Sequence, residues 1–155
     1  MKKVLCLVAV CLLVAFSVSA QTVADEIEAL LETAAVSYGQ AARFVLDAAD
    51  IGGMANQSQA FQYALERNWL PGNVSADDTA RLDGIALLVM RSFNIKGGVM
   101  YSLFKRTSVR NPHYAYRELV HQEIIHGWID PAMTVSGDTL LYIINRAIEK
   151  RDGEQ

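Results

Sequence analysis

The sequence predicts an all-α domain built from tandem helix-turn-helix units. Apolar residues recur at helical spacing in several segments, and no segment shows the alternation of a strand. Residues 63–93 also align with residues 118–148 without a gap. Apolar positions match along this overlap, and four pairs are identical: Gly72/Gly127, Thr79/Thr134, Asp83/Asp138 and Arg91/Arg146. Identities that coincide with an apolar pattern in phase indicate an internal repeat.

The first twenty residues have the pattern of a secretory signal peptide. Lys2 and Lys3 precede the apolar run Val4–Phe16, and Ser17–Ala20 supplies the small residues of a cleavage site. The run is too short to span a bilayer well as a permanent anchor. We therefore expect cleavage after Ala20 and a periplasmic or secreted product, with a retained anchor as the alternative.

Composition limits the chemistry of the chain that remains after cleavage. Both cysteines, Cys6 and Cys11, lie in the leader, so residues 21–155 have no thiol for a disulfide, a metal or a nucleophile. Loss of the two leader lysines leaves 12 basic and 17 acidic residues, a net charge of −5. Nucleic acid is a poor partner for that charge, because phosphate binding needs a basic surface. No long apolar run follows residue 20, so we expect no membrane span after cleavage. The remaining 135 residues are enough to bury a core and few enough to form a single domain.

Two helical segments come first and form a degenerate half-repeat over residues 22–52. Ala24–Leu31 has an acidic first turn, as suits the positive end of a helix. Ser37–Asp50 follows with apolar residues at helical spacing, and Gly52 and Gly53 stop it.

Repeat one spans residues 56–95. Its first helix is predicted over Gln57–Asn68 and ends at Gly72. Ser75 and Asp78 have the spacing of a capping signal for the second helix, which carries an apolar face up to Phe93.

Repeat two spans residues 112–150. Lys105–Pro112 is the basic linker before it, and the apolar stretch Val99–Phe104 stays unassigned. Its first helix is predicted over His113–Ile125 and closes at Gly127. Thr134 or Ser136 caps the last helix, and a charged, frayed tail follows from residue 149.

The order of helix, glycine-marked turn, extended connection and capped helix resembles the S-layer homology (SLH) domain family. Members carry a Thr-Arg-Ala-Glu-like tetrad at the start of the second helix, and the corresponding positions here are Ala80–Asp83, Val135–Asp138 and a degenerate Ser37–Gln40. The resemblance covers about residues 36–148 and implies an SLH-like pseudo-threefold helical bundle. Residues 97–101 and 114–119 also resemble small exported helical proteins of spirochaetes.

The SLH resemblance further implies a groove in which the tetrad arginines bind anionic cell-wall polysaccharide. That role falls on Tyr38, Arg81 and Ser136, so one arginine of three is kept. The acidic position is kept as Asp83 and Asp138, with Gln40 in the first copy. Loss of two arginines removes charge-assisted, bidentate contacts that an anionic sugar needs.

Two sets of candidate residues follow. The ligand-binding candidates are arginines that could contact an anion and aromatics that could form a platform: Arg43, Arg81, Tyr116, Arg117 and Trp128. Core packing is the alternative for the aromatics, and a salt bridge is the alternative for Arg117. The structural candidates are glycines that end helices with positive φ and aspartates that support helix N-termini: Gly72, Asp83, Gly127 and Asp138.

The sequence offers little for catalysis. His121 and His126 are five residues apart, whereas histidine pairs that bind metal on one helix sit four apart. Gly-x-Ser-x-Gly is absent from the sequence. Asp83 and Asp138 could approach each other as a carboxylate pair, with support of helix N-termini as the alternative. We expect no catalytic residue, metal or cofactor.

The first functional hypothesis is a non-enzymatic protein-interaction or assembly module of the cell envelope. A weakened SLH-type binder of cell-wall glycan is the second, and an enzyme is the third. Clustering of Arg43, Arg81 and Arg117 in one groove would favour a glycan, and an exposed apolar patch would favour a protein partner.

Export is directly testable. The mature protein should begin at Gln21, and its melting temperature should not change with reductant, because no thiol remains after cleavage. Intact mass of the protein from the envelope fraction and thermal melts with and without dithiothreitol measure both. A chain that starts at Met1, or a melt that shifts with reductant, would contradict the prediction.

Overall fold

The computed structural model describes residues 24–54, 56–97, 111–127 and 130–153. In these ranges the fold is all-α, as predicted, and no strand occurs. The six helices are α1 (24–31), α2 (Tyr38–Ala48), α3 (Gln57–Glu66), α4 (Leu82–Ser92), α5 (Pro112–His121) and α6 (Gly137–Gly153). The predicted leader, the Val99–Phe104 stretch and most of the Lys105–Pro112 linker lie outside the described residues.

Side chains suited to N-capping set the start of three helices. Ser37 and Gln40 form a reciprocal capping box at α2, in which each side chain accepts a hydrogen bond from the other residue's backbone N–H. Asn56 caps α3, and Asn111 caps α5, whose first residue is Pro112. Proline suits that position because its missing N–H would have no helical partner.

Four helices end in the same way, with a residue in the left-handed conformation. These residues are Asp50 (φ 61°), Asn68 (φ 58°), Asn94 (φ 51°) and Glu123 (φ 59°), after α2, α3, α4 and α5. The apolar residue that follows each of them donates its N–H to a carbonyl in the last helical turn. This hydrogen bond satisfies a carbonyl that would otherwise lack a partner at the helix end.

The prediction that Gly72 and Gly127 end helices is wrong. The helices α3 and α5 end earlier, because Asn68 and Glu123 take the left-handed conformation instead. Gly127 does have a positive φ of 75°, but it lies in the connection after α5. Gly72 is exposed in the connection after α3 and is not among the residues with positive φ.

The predicted capping signal at Ser75 is also wrong. The Asp78 carboxylate accepts a hydrogen bond from the Ser75 N–H at 2.7 Å, which closes a separate turn before α4 begins. The N-cap of α4 is Arg81, whose side chain makes no capping hydrogen bond. Backbone carbonyls of a neighbouring connection accept the first N–H groups of α4 instead.

Three extended connections meet in a closed ring of backbone hydrogen bonds. The Val36 N–H donates to the Val135 carbonyl at 2.8 Å, the Val135 N–H donates to the Ala80 carbonyl at 3.2 Å, and the Ala80 N–H donates to the Val36 carbonyl at 2.8 Å. All three residues are fully buried. Each lies two positions before the first residue of α2, α4 or α6. The ring, which we call the connection ring, therefore holds three helix N-termini side by side.

A second set of backbone hydrogen bonds surrounds the connection ring. The first residue of each of the three helices donates its N–H to the next connection: Tyr38 to Asp78, Leu82 to Met133 and Gly137 to Thr33, at 2.9–3.0 Å. N–H groups in the first turn of a helix have no partner within the helix. The neighbouring connection supplies those partners here, so the helix starts depend on the tertiary fold.

The core lies between α2, α4 and α6. Eight of the eleven residues of α4 are buried, which makes it the most enclosed of these helices. It packs on α2, α5 and α6, and α2 also packs on α3 and α6. At the far end of α6, Arg151 makes an ion pair with Asp50 at 3.0 Å, and its guanidinium lies 5.6 Å from the centre of the Phe93 ring. The end of α6 thus contacts the turns that follow α2 and α4.

Two glycines allow close approach at the helix starts. A Cβ at Gly137 would overlap the backbone carbonyl of Leu30, and a Cβ at Gly84 would overlap the ring and hydroxyl of Tyr38. The Leu30 carbonyl belongs to the backbone and cannot rotate away. Tyr38 is fully buried, so its ring has little room to move.

We expect Gly137→Ala to lower the free energy of unfolding by about 1–3 kcal/mol, the usual cost of overpacking. Gly72→Ala is the matched control, because no atom lies within 4 Å of a Cβ there, and it should change stability by less than about 0.5 kcal/mol. Urea unfolding followed by circular dichroism measures both. Equal stabilities for the two variants would show that α1 is not packed against the start of α6.

Candidate functional site

A groove of about 520 Å³ runs between α1, α2 and the start of α3. Its apolar wall includes the buried Leu30 and the half-buried Phe44. Most of its other lining residues carry polar side chains, and these are Glu26, Gln40, Arg43, Asn56, Gln57 and Ser58. Clefts with an apolar wall and several converging polar groups are the usual places for ligand binding.

Hydrogen bonds within the protein hold several of these polar side chains in place. The Gln40 Oε1 accepts the Ser37 N–H at 2.9 Å, which leaves the amide NH₂ group as the part that can donate to a ligand. The Asn56 Oδ1 accepts the Gln59 N–H at 3.0 Å. Arg43 pairs with Asp47 at 3.2 Å, one helical turn along α2. A ligand would therefore meet a largely preorganised surface.

The groove carries both signs of charge. Among the lining residues, Arg43 on α2 carries a positive charge and Glu26 on α1 carries a negative charge. Arg43 pairs with Asp47 and shares the groove with Glu26, so the lining has no excess of positive charge. It suits a polar ligand with both donors and acceptors better than an anion.

The structure brings one of the three predicted arginines to the groove. Arg81 lies before α4, is exposed and makes an ion pair with Asp83 at 2.9 Å. Arg117 is exposed on α5. Neither lines the groove, so Arg43, Arg81 and Arg117 do not form the arginine cluster that would favour a glycan there.

Relative to the start of its helix, the first tetrad lies one residue later than the other two. Ser37, not Tyr38, precedes α2 as Arg81 precedes α4 and Ser136 precedes α6. Tyr38 is instead the first residue of α2 and is buried, and its hydroxyl accepts the Arg81 N–H at 3.3 Å. Burial raises the pKa of Tyr38 above its ordinary value, so the hydroxyl stays neutral.

The predicted aromatic platform does not form at Tyr116. Its side chain is 1% exposed and belongs to the core, which was the alternative stated for the aromatics. Trp128 lies outside the described residues. Tyr114 is exposed beside His113, with the two ring centroids 6.5 Å apart.

Asp83 and Asp138 lie in the first turns of α4 and α6. The Asp83 carboxylate accepts a hydrogen bond from the Arg81 guanidinium at 2.9 Å. Asp138 accepts a hydrogen bond from the Ser136 hydroxyl at 2.7 Å, and this bond lowers the pKa of the Asp138 carboxyl. Both carboxylates thus have local partners close to a helix N-terminus, where negative charge is favourable.

Histidines and acidic residues do not converge in the described ranges. In the part of the chain that the structure describes, no group of three or more histidine, cysteine, aspartate or glutamate residues is placed to hold a metal ion. His126 is exposed and lies with its ring centroid 5.9 Å from that of Tyr142. None of the described helices has both the length and the apolar character needed to cross a membrane.

Sequence reasoning found Arg43 but missed the rest of the groove. The capping pattern of Ser37 and Gln40 and the Asn56 cap are visible in the sequence as helix starts. They mark local structure only, because nothing in the sequence shows that α1 and α3 flank the same face of α2.

No protein-family model, curated protein or solved structure matches this chain. The likeness to the SLH family remains an expectation from the sequence.

Proposed function

We propose that the protein is a non-enzymatic, periplasmic or secreted module of the cell envelope that docks a protein partner in the groove between α1, α2 and α3. The observation that carries the proposal is the polar, preorganised lining of that groove, which has both donors and acceptors and little net positive charge. An extended peptide segment offers backbone N–H and C=O groups in alternation, and such a lining can pair with both. Phe44 and Leu30 offer an apolar surface for one of its side chains.

Charge favours a peptide over an anionic glycan. Arg43 and Arg81 are each paired with a carboxylate of their own helix or cap, at 3.2 and 2.9 Å. A polyanion would have to displace these carboxylates and would also meet Glu26 in the groove. Like-charge contacts of this kind disfavour a wrong partner.

The second candidate, a weakened SLH-type glycan binder, draws support from the helix boundaries and the connection ring. The shift that aligns residues 63–93 with residues 118–148 also carries both bounds of α3 onto those of α5, and the start of α4 onto the start of α6. The helices α2 and α4 have equal lengths, and both follow a residue of the connection ring at the same distance. We propose that the chain holds three related units packed about a pseudo-threefold axis, as the family resemblance implies.

A photo-crosslinking amino acid at Ser58, an exposed position that lines the groove, tests the first candidate. We expect it to give one discrete protein adduct in envelope preparations. The same amino acid at Asn145, exposed on α6, is the control and should not give that adduct. Adducts that form equally from both positions would contradict docking in the groove.

The identified partner then allows a measurement of affinity. Arg43→Ala should weaken binding about ten- to a hundredfold, because a charge-assisted hydrogen bond contributes roughly 1.5–3 kcal/mol. Arg117→Ala is the matched control, an exposed arginine outside the groove, and it should leave affinity unchanged. Calorimetry measures both. Equal affinities for the two variants would show that the partner does not bind in the groove.

The glycan alternative makes an opposite prediction about salt. Binding of an anionic wall polysaccharide by tetrad arginines would weaken as ionic strength rises. We expect no salt-sensitive retention on purified wall glycan and no effect of Arg81→Ala, since Asp83 already occupies that guanidinium. Retention at low salt that disappears in Arg81→Ala, measured by cosedimentation, would replace the first candidate with the second.

A further inference from the structure

The helix α1 has an uncovered side. Seven of its eight residues are exposed, and Leu30 alone is buried. Ile27 is 38% exposed and Leu31 is 50% exposed, so two of the four large hydrophobic residues exposed in the described chain lie on this one helix. An isolated helix of this length is only marginally stable in water, so α1 needs contacts with the rest of the protein or with a partner to stay folded.

Helical spacing separates this side from the groove. Ile27 and Leu31 are four residues apart and therefore neighbours on one side of α1. Glu28 and Glu32 form the adjoining row. Glu26 and Ala29, which line the groove, lie on the other side of Leu30. We call the surface of Ile27, Glu28, Leu31 and Glu32 the α1 outer face.

The charge around the α1 outer face is acidic and unbalanced. Residues 24–35 include four carboxylates and no lysine or arginine. No salt bridge among the described residues involves any of these carboxylates, whereas Arg43, Arg81, Arg146 and Arg151 all pair with acids elsewhere. The face thus combines an apolar stripe, formed by Ile27 and Leu31, with carboxylates that make no salt bridge among the described residues.

One segment of the chain has the opposite character. Residues 99–110, which lie outside the described residues, contain three basic residues and no acidic one. Six of the twelve are apolar, including Met100, Leu103 and Phe104. Such a segment offers bulky side chains for the apolar stripe and cations for the flanking carboxylates.

We propose that the α1 outer face binds residues 99–110 of a second copy of this chain. The apolar stripe supplies the anchoring contacts, and the complementary charges select the partner and speed its association. The proposal uses a surface separate from the groove, so it does not depend on which ligand the groove takes. Each copy carries both the face and the segment, so copies can join reciprocally in pairs or head to tail.

Sedimentation velocity of the purified protein at rising concentration tests the proposal. We expect the weight-average sedimentation coefficient to increase with concentration and this increase to shrink in high salt, because exposed charges are screened. Replacing Ile27 and Leu31 by Ser should abolish association, and so should replacing Lys105, Arg106 and Arg110 by Glu. Circular dichroism checks that both variants fold.

Mixing the two variants distinguishes this contact from others. The first variant keeps an intact segment and the second keeps an intact face, so an equal mixture should associate although each alone does not. A wild-type protein that stays monomeric at every concentration would overturn the proposal. Association that survives both sets of substitutions would overturn it too, as would a mixture that stays monomeric. A synthetic peptide of residues 99–110 provides a further check. If it binds the Glu variant but not the wild-type protein, the segment occupies the face of its own chain instead.

Discussion

The fold depends on the connection ring, the closed set of hydrogen bonds through Val36, Ala80 and Val135. The ring is buried, so none of its donors or acceptors can turn to water as an alternative partner. A buried peptide group without a partner costs about 1–3 kcal/mol, which makes all three bonds necessary together. The same three connections also complete the helix starts, because the first N–H groups of α2, α4 and α6 donate to them. A change in one connection therefore reaches all three helices.

The ring also explains how the groove arises. It fixes where α2 begins, and the capping box of Ser37 and Gln40 lies at that point. Gln40 and Arg43 follow on the first turns of α2, between α1 and the start of α3. The connection before α2 is also much shorter than the connections before α4 and α6. The polar side chains that α2 contributes to the groove are thus positioned by buried backbone hydrogen bonds.

Sequence patterns located the helices well and the contacts between them poorly. The starts of α1 and α3 were predicted to the residue, and the starts of α2 and α5 to within one residue, because capping residues and apolar spacing act locally. Glycine is the residue expected in the left-handed position after a helix, but Asn68 and Glu123 fill that position here, so the glycine pattern places both helix ends too late. Tyr116 was offered as a surface aromatic because its burial depends on how α5 packs on α4, which no local pattern shows.

A ring that joins the first connection to the last has a consequence for folding kinetics. Val36 and Val135 bond directly, although nearly a hundred residues separate them in the chain. Closing such a long loop costs conformational entropy before the contact contributes stability, and chains rich in distant contacts fold slowly. During synthesis Val36 and Ala80 can meet early, but Val135 emerges last. The connection ring therefore cannot close before residue 135 has been made, so the starts of α2 and α4 lack some of their backbone partners until then.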